Sequence, residues 1–153
     1  MTKYYENTEG KLVVDPILAN HDGLTEITQE QFNQIIEERS KPTTDQLLQQ
    51  LTQQRKEQER QGVTLNGIRY AGDPGNRQAL QEAIEFMNDA GLTEFPRFKD
   101  SDGAFHAEHP LADVMDAYRA IGARRVQLIT TEGDYAEQVV AGTLTDLTDL
   151  VWS

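Results

Sequence analysis

Three stretches of this chain have residue types and spacings that could do chemistry. His106 and His109 flank Glu108, two imidazoles and a carboxylate of the kind a zinc ion would accept. Ala107 and Pro110 place them at a strand-to-helix junction, where side chains three apart need not converge, and no further ligand is evident. Protonation-sensitive surface histidines are the simpler reading. Asp100-Ser101-Asp102-Gly103 resembles the front of a calcium loop, but such a loop needs a third ligand before its glycine and a closing Glu, and neither falls in register. Asp and Gly here read as turn formers. Gly72-Asp73-Pro74-Gly75-Asn76-Arg77 sets glycines where a helix begins and phosphates bind, without the Gly-Lys-Ser/Thr ending of a P-loop or the three-glycine dinucleotide fingerprint. It reads as a plain helix start.

The remaining catalytic inventory is thin. There is no Gly-x-Ser-x-Gly elbow, and three histidines leave few bases for a Ser-His-Asp arrangement. With no cysteine there is no thiolate nucleophile, Cys-based zinc site or disulfide framework. The expectation is a non-enzymatic protein with no catalytic residue, no metal and no cofactor. Fourteen Lys and Arg against 26 Asp and Glu give a formal charge of −12, which repels a phosphate backbone and an anionic leaflet alike. Nucleic acid and membrane are therefore excluded as expected partners. Met1-Thr2-Lys3-Tyr4-Tyr5-Glu6 lacks the apolar core of a secretory signal, and no stretch reaches the ~20 apolar residues of a membrane helix. With 37% hydrophobic and 7% aromatic residues, the core is lean.

The elements that must position these residues predict an α+β fold, a helix-rich body with short β-hairpins packed on long helices. Residues 1–42 form a small N-terminal hairpin and short helix. Lys3–Glu6 and Lys11–Val14 pair across a Gly10 turn that ends at Asp15-Pro16, and Leu24–Ile27 adds a third strand. Thr28-Gln29-Glu30-Gln31 is a capping box for a helix to about Arg39, with Phe32, Ile35 and Ile36 as its buried face. Residues 43–153 read helix, hairpin, helix, hairpin, long helix. The first helix runs to about Gln61, apolar through Leu47, Leu48 and Leu51 but wholly polar afterwards, which reads as a solvated spacer.

The Asn66-Gly67 hairpin follows, since both central residues of a type I′ turn need positive φ. Asp73-Pro74 opens a helix carrying Leu80, Ala83, Ile84 and Met87 and closed by Gly91. A second hairpin, Phe95–Phe98 with Ala104–His106, turns at Asp102-Gly103, and His109-Pro110 starts the long helix. Its stripe of Leu111, Val114, Tyr118, Ile121, Leu128, Tyr135 and Val139 is interrupted by Arg125 and Glu132 at two positions that a seam would fill with apolar groups. Gly122 and Thr130-Thr131-Glu132-Gly133 weaken this helix, and its continuity through Gly133 stays open. The stripe serves an ordinary core-facing surface more simply than a coiled coil. Thr143–Trp152 should be a short turn or helix with its Trp docked on the body.

The order Arg55-x3-Glu59-x2-Gly62-Val63-x-Leu65-Asn66-Gly67-Ile68, then Leu80 and Ala83, then Phe98-Lys99-Asp100-x-Asp102-Gly103-x-Phe105, then Leu147-x2-Leu150-x-Trp152 resembles a family of small tail and tail-fibre-associated proteins of tailed bacteriophages. The likeness covers about residues 45 to 153. Lys3-Tyr4-Tyr5 with Gly10, then Leu24-Thr25-Glu26-Ile27-Thr28, is similar to the opening of phage fibre-assembly proteins. The sequence departs from the pattern where Arg97-Phe98 replaces a Trp before Lys99, and where Gly122 and Gly133 interrupt the last helix.

The resemblance implies a structural component or adaptor whose partner is a tail-fibre or baseplate protein. The alternatives it leaves are a transient tail-fibre assembly chaperone and, more remotely, a small metal protein or enzyme using His106, Glu108 and His109. It implies residence in the host cytoplasm during assembly, and in the virion tail for a structural component, with a homo-oligomer as a further option. The expected partner-facing residues are Leu47, Leu51, Arg125, Leu128, Tyr135, Val139 and Trp152.

Overall fold

The structure, a computed structural model, describes residues 2–14 and 22–152. It is α+β, with helices forming most of the body and antiparallel strand pairs between them. The chain divides into two compact units, Met1–Thr43 and Thr44–Ser153. No helix among the described residues is long and apolar enough to cross a membrane.

In the first unit, β1 (Tyr4–Asn7), β2 (Leu12–Val14) and β3 (Leu24–Ile27) form a sheet of order β2-β1-β3, followed by α1 (Gln29–Ser40). The turn after β1 is closed by Asn7, whose Oδ1 accepts from the backbone N–H of Glu9 and Lys11, with Gly10 at φ +80°. Asp15-Pro16, where the hairpin was expected to end, lies outside the described residues. The capping box forms, with Thr28 Oγ1 accepting from Gln31 N and Gln31 Oε1 accepting from Thr28 N. The apolar face of α1 is narrower than the sequence suggests. Phe32 meets Tyr4 with ring centroids 4.6 Å apart, whereas Ile36 stays 48% exposed and no α1 residue is buried. A sheet of short strands covers one row of a helix, so Phe32 and Ile35 are only half-buried.

In the second unit, α2 (Thr44–Gln61) leads through β4 (Val63–Leu65) and β5 (Ile68–Tyr70) to α3 (Pro74–Asp89). Then β6 (Glu94–Lys99) and β7 (Phe105–Pro110) deliver the chain to α4 (Leu111–Val140). Asn66 at φ +51° and Gly67 at φ +78° make the turn their residue types require. Asp73 caps α3 by accepting from Asn76 N at 3.0 Å. At the other end Gly91 adopts φ +64°, and Leu92 N reaches back to Met87 O at 2.9 Å, which closes the helix as a Schellman turn.

The long helix does not break. α4 runs unbroken through Gly122 and Gly133, roughly 45 Å at 1.5 Å per residue, because no proline or polar insertion interrupts its ladder. Along that length it serves two cores. Towards its start, Val114, Ala117 and Ile121 pack with Tyr70 and Leu80, flanked by Phe95, Phe98 and the β4–β5 apolar residues. Towards its end, Val139 packs with Leu47, Leu51 and Leu147, flanked by Tyr135, Leu144, Leu150 and Trp152. The tail after α4 is not helical but forms turns that lay these side chains over α2. Each fully buried leucine contributes about 1.5–3 kcal/mol.

Candidate functional site

The middle of α2 overturns the spacer reading. Arg55 pairs with Glu59 on its own helix and with Glu132 on α4, and Thr52 Oγ1 donates to Glu132 at 2.6 Å. Arg125 of α4 reaches Glu59 at 3.4 Å. Gln54 accepts from Trp152 Nε1 and donates to the carbonyl of Leu147, each at 3.1 Å. Glu59 and Arg55 keep only 7% and 13% of their side-chain surface. The polar second half of α2 is thus held against α4 by alternating charges, and the two unexpected seam residues, Arg125 and Glu132, are the α4 half of that lock. Burial works against the charge on Arg55, but the hydrogen bonds and charges of Glu132 and Glu59 together outweigh it and hold the guanidinium above its ordinary pKa. It remains charged at every accessible pH.

Where α2 ends, two glycines permit a close backbone crossing. A Cβ on Gly62 would stand 1.9 Å from the carbonyl oxygen of Tyr70, and one on Gly72 would stand 2.1 Å from that of Glu59. This crossing fixes the β4–β5 hairpin against the helix end. Arg69 then ties that hairpin to the next turn, with Nε 2.7 Å from Asp102 Oδ1 and Nη2 donating to Ser101 O, while Ser101 Oγ accepts from Ala71 N at 2.7 Å.

These bonds settle what the Asp100–Gly103 turn does. Asp100 Oδ1 accepts from Asp102 N and Ala104 N, and its Oδ2 meets His106 Nε2 at 2.8 Å. The carboxylates a calcium ion would need are committed to the hairpin and to Arg69. The His106 hydrogen bond, with the two backbone donors, holds the Asp100 carboxyl below its ordinary range.

The histidines do converge, contrary to the expectation from their spacing. The β6–β7 ladder pairs Phe95 with His109 and Phe98 with His106, but Pro96, lacking an N–H, and Glu108, at φ +50°, make no ladder pair. That interruption resets the alternation, so Phe95 and Phe98, and His106 and His109, each three apart, turn to one face. The two imidazole centroids lie 5.9 Å apart.

His109 is no surface histidine. It is 4% exposed, stacked 4.6 Å from Phe98, with Nε2 2.8 Å from the Tyr70 hydroxyl. Burial pulls this imidazole below its ordinary pKa against the opposing pull of Asp113, and burial likewise pushes the Tyr70 phenol up to about 12. Glu108 points to solvent, and among the described residues no three His, Asp or Glu side chains are placed to hold a metal ion. The cluster is a hydrogen-bonded aromatic layer that seats the second hairpin on α4.

Of the residues expected to face a partner, Leu47, Leu51, Leu128 and Val139 are buried within this chain, between 0% and 5% exposed. The sequence could not separate the two uses, because an intramolecular seam and an intermolecular one share a period. Arg125, Tyr135 and Trp152 retain surface, with the Tyr135 hydroxyl donating to Val151 O and its ring edge-on to Trp152 at 5.7 Å. A shallow recess at Arg125, between α2, the start of α3 and α4, collects Lys56, Arg60 and Arg77 alongside Glu59 and Asp73. Sequence reading missed it because its cations come from three separate elements. Large apolar side chains also remain outward, among them Phe86 at 66%, Val126 at 66%, Val140 at 69% and Val151 at 71%.

Fold and site together describe an α+β module in which α4 organises two antiparallel hairpins and a polar helix, and whose histidines and acidic turn are bonded internally. Residues 42–151 match the family described as Domain of unknown function (DUF4376), and the chain belongs to that family. The match covers all of the second unit's helices and strands and leaves the strands and helix of the first unit outside it. No curated protein and no solved structure matches this chain.

Proposed function

We propose that this protein is a non-enzymatic component or adaptor of a bacteriophage tail that docks on a tail-fibre or baseplate protein. The ordered motifs from Arg55 to Trp152 motivate the reading. The observation that carries it is how the reactive side chains are used: His106 serves Asp100, His109 serves Tyr70, and Arg55 is consumed by Glu59 and Glu132. What is left on the surface is the equipment for adhesion: outward apolar side chains and the cations beside Arg125. On this reading the protein is made in the host cytoplasm and carried into the virion tail.

Mass spectrometry of purified virions tests it, with the protein expected in complete particles at a fixed ratio to the fibre. Absence from complete particles overturns the component reading and favours a transient assembly chaperone. Deletion of the gene then separates the two, since loss of a chaperone leaves the fibre polypeptide insoluble and loss of a component leaves it soluble but unattached.

A further inference from the structure

We propose that the outer face of α4 is a self-association surface, on which two copies of this chain pack antiparallel about a two-fold axis beside Val126 and Ile129. The inner stripe of α4 is spent on the two cores, but a second stripe runs along its solvent side. Gly122, Val126, Ile129, Gly133 and Val140 recur at intervals of three, four and seven, which places them in one row. Val126 is 66%, Ile129 41% and Val140 69% exposed, so this row stands open to solvent and belongs to neither core.

The glycines agree. A Cβ at Gly122 or Gly133 would have no atom within 4 Å, so no internal contact requires glycine there, although each weakens the helix relative to alanine. A backbone left bare on the outside of a helix admits close approach by a neighbour.

Charge identifies the neighbour as another copy and sets its direction. Arg119 lies in the same outward row two turns before Val126, and Glu137 lies about one turn after Gly133, both on solvent-exposed positions. Arg119 and Glu137 thus bracket an apolar centre of Gly122, Val126, Ile129 and Gly133, basic at one side and acidic at the other, with Val140 about one turn beyond Glu137. An antiparallel partner brings Arg119 of each copy to Glu137 of the other at both ends, whereas a parallel partner would oppose like charges. Arg119 now pairs with Asp116 three residues back, a contact two-thirds exposed on both sides that is readily exchanged. The row from Arg119 to Glu137 is about 27 Å long, a contact at the small end of specific interfaces. The inference does not rest on the tail reading, since a virion component and a chaperone could each be a dimer.

Sedimentation equilibrium on the full chain, from about 1 to several hundred micromolar, tests it. The mass should rise from the 17.3 kDa monomer towards twice that value. Val126→Asp should weaken association tenfold or more while leaving the far-ultraviolet spectrum and the unfolding midpoint at low concentration unchanged. Arg119→Glu and Glu137→Arg should each weaken it several-fold, and the two together should restore it. A monomer throughout the range overturns the proposal. So does a dimer indifferent to Val126→Asp, and so does a failure of the double reversal to recover what each single reversal loses.

Discussion

Replacing Arg55 by methionine removes the guanidinium while keeping most of the aliphatic stem, and it isolates what the charge lock between α2 and α4 contributes. The variant leaves Glu59 and Glu132, whose side chains keep 7% and 19% of their surface, without their shared cation. Removing one partner from a buried ion pair costs about 3–5 kcal/mol, because the other charge stays desolvated and unpaired. Thr52 still donates to Glu132 and Arg125 still approaches Glu59, which argues for the lower end, about 3 kcal/mol.

At this chain length that loss lowers the melting temperature by roughly 6–12 °C. Urea unfolding followed by fluorescence is the assay. Trp152 is the one tryptophan in the sequence, and its indole N–H is bonded to Gln54, the residue before Arg55. The double variant Arg55→Met/Glu132→Gln should recover at least about 1 kcal/mol, the coupling expected of residues in one network. A cost for Arg55→Met below about 1 kcal/mol, the worth of an exposed pair, would refute the reasoning and restore α2 as a solvated spacer.

Leu51→Ala, at a residue with no exposed surface, should cost about 2–5 kcal/mol in the same titration. Gly62→Ala should destabilise by at least about 2 kcal/mol, because its Cβ would meet backbone atoms at 1.9 and 2.7 Å in a residue held at φ +71°; Gly133→Ala, in open space, should stabilise by up to about 1 kcal/mol at low protein concentration. The depressed pKa of His109 means that the unfolded chain binds its proton more readily. Stability should therefore be full above the ordinary imidazole value of 6.5 and fall as pH drops below it towards the folded value. His109→Gln, which keeps a partner for Tyr70, should flatten that slope in urea titrations between pH 5 and 7.

What the sequence disclosed and what it withheld divide along physical lines. Local chemistry was legible: Asn66-Gly67, Asp73-Pro74, Gly91 and the Thr28–Gln31 box each act within a few residues, and each acts as its type requires. The apolar stripe of α4 was legible because its period is set by the helix itself. The role of α2 was not, since Thr52, Gln54, Arg55 and Glu59 find their partners on α4 and the tail 66 to 98 residues away, and no periodicity encodes a bond across that distance. The histidines were misjudged because their convergence depends on a left-handed φ at Glu108, a residue with no particular claim to it. Continuity through Gly133 was not legible, because whether a single glycine interrupts a helix depends on the packing around it, and here the ladder carries it without breaking. The outer row of α4 was overlooked because Gly122 and Gly133 drew attention as helix breakers and not as members of a second stripe.

The polar lock also bears on how the chain is made. When α2 leaves the ribosome, Glu132, Leu147 and Trp152, on which it will rest, have yet to be translated. Leu47, Leu48 and Leu51 are clustered at its start, and the rest of the helix shows only amides and charges to the surrounding solution. A nascent helix with a continuous greasy stripe would wait for its partner at the risk of sticking to other chains. Glutamine, arginine and glutamate let α2 wait wetted, and the ion pairs dehydrate only once α4 has been synthesised and folds back beside it.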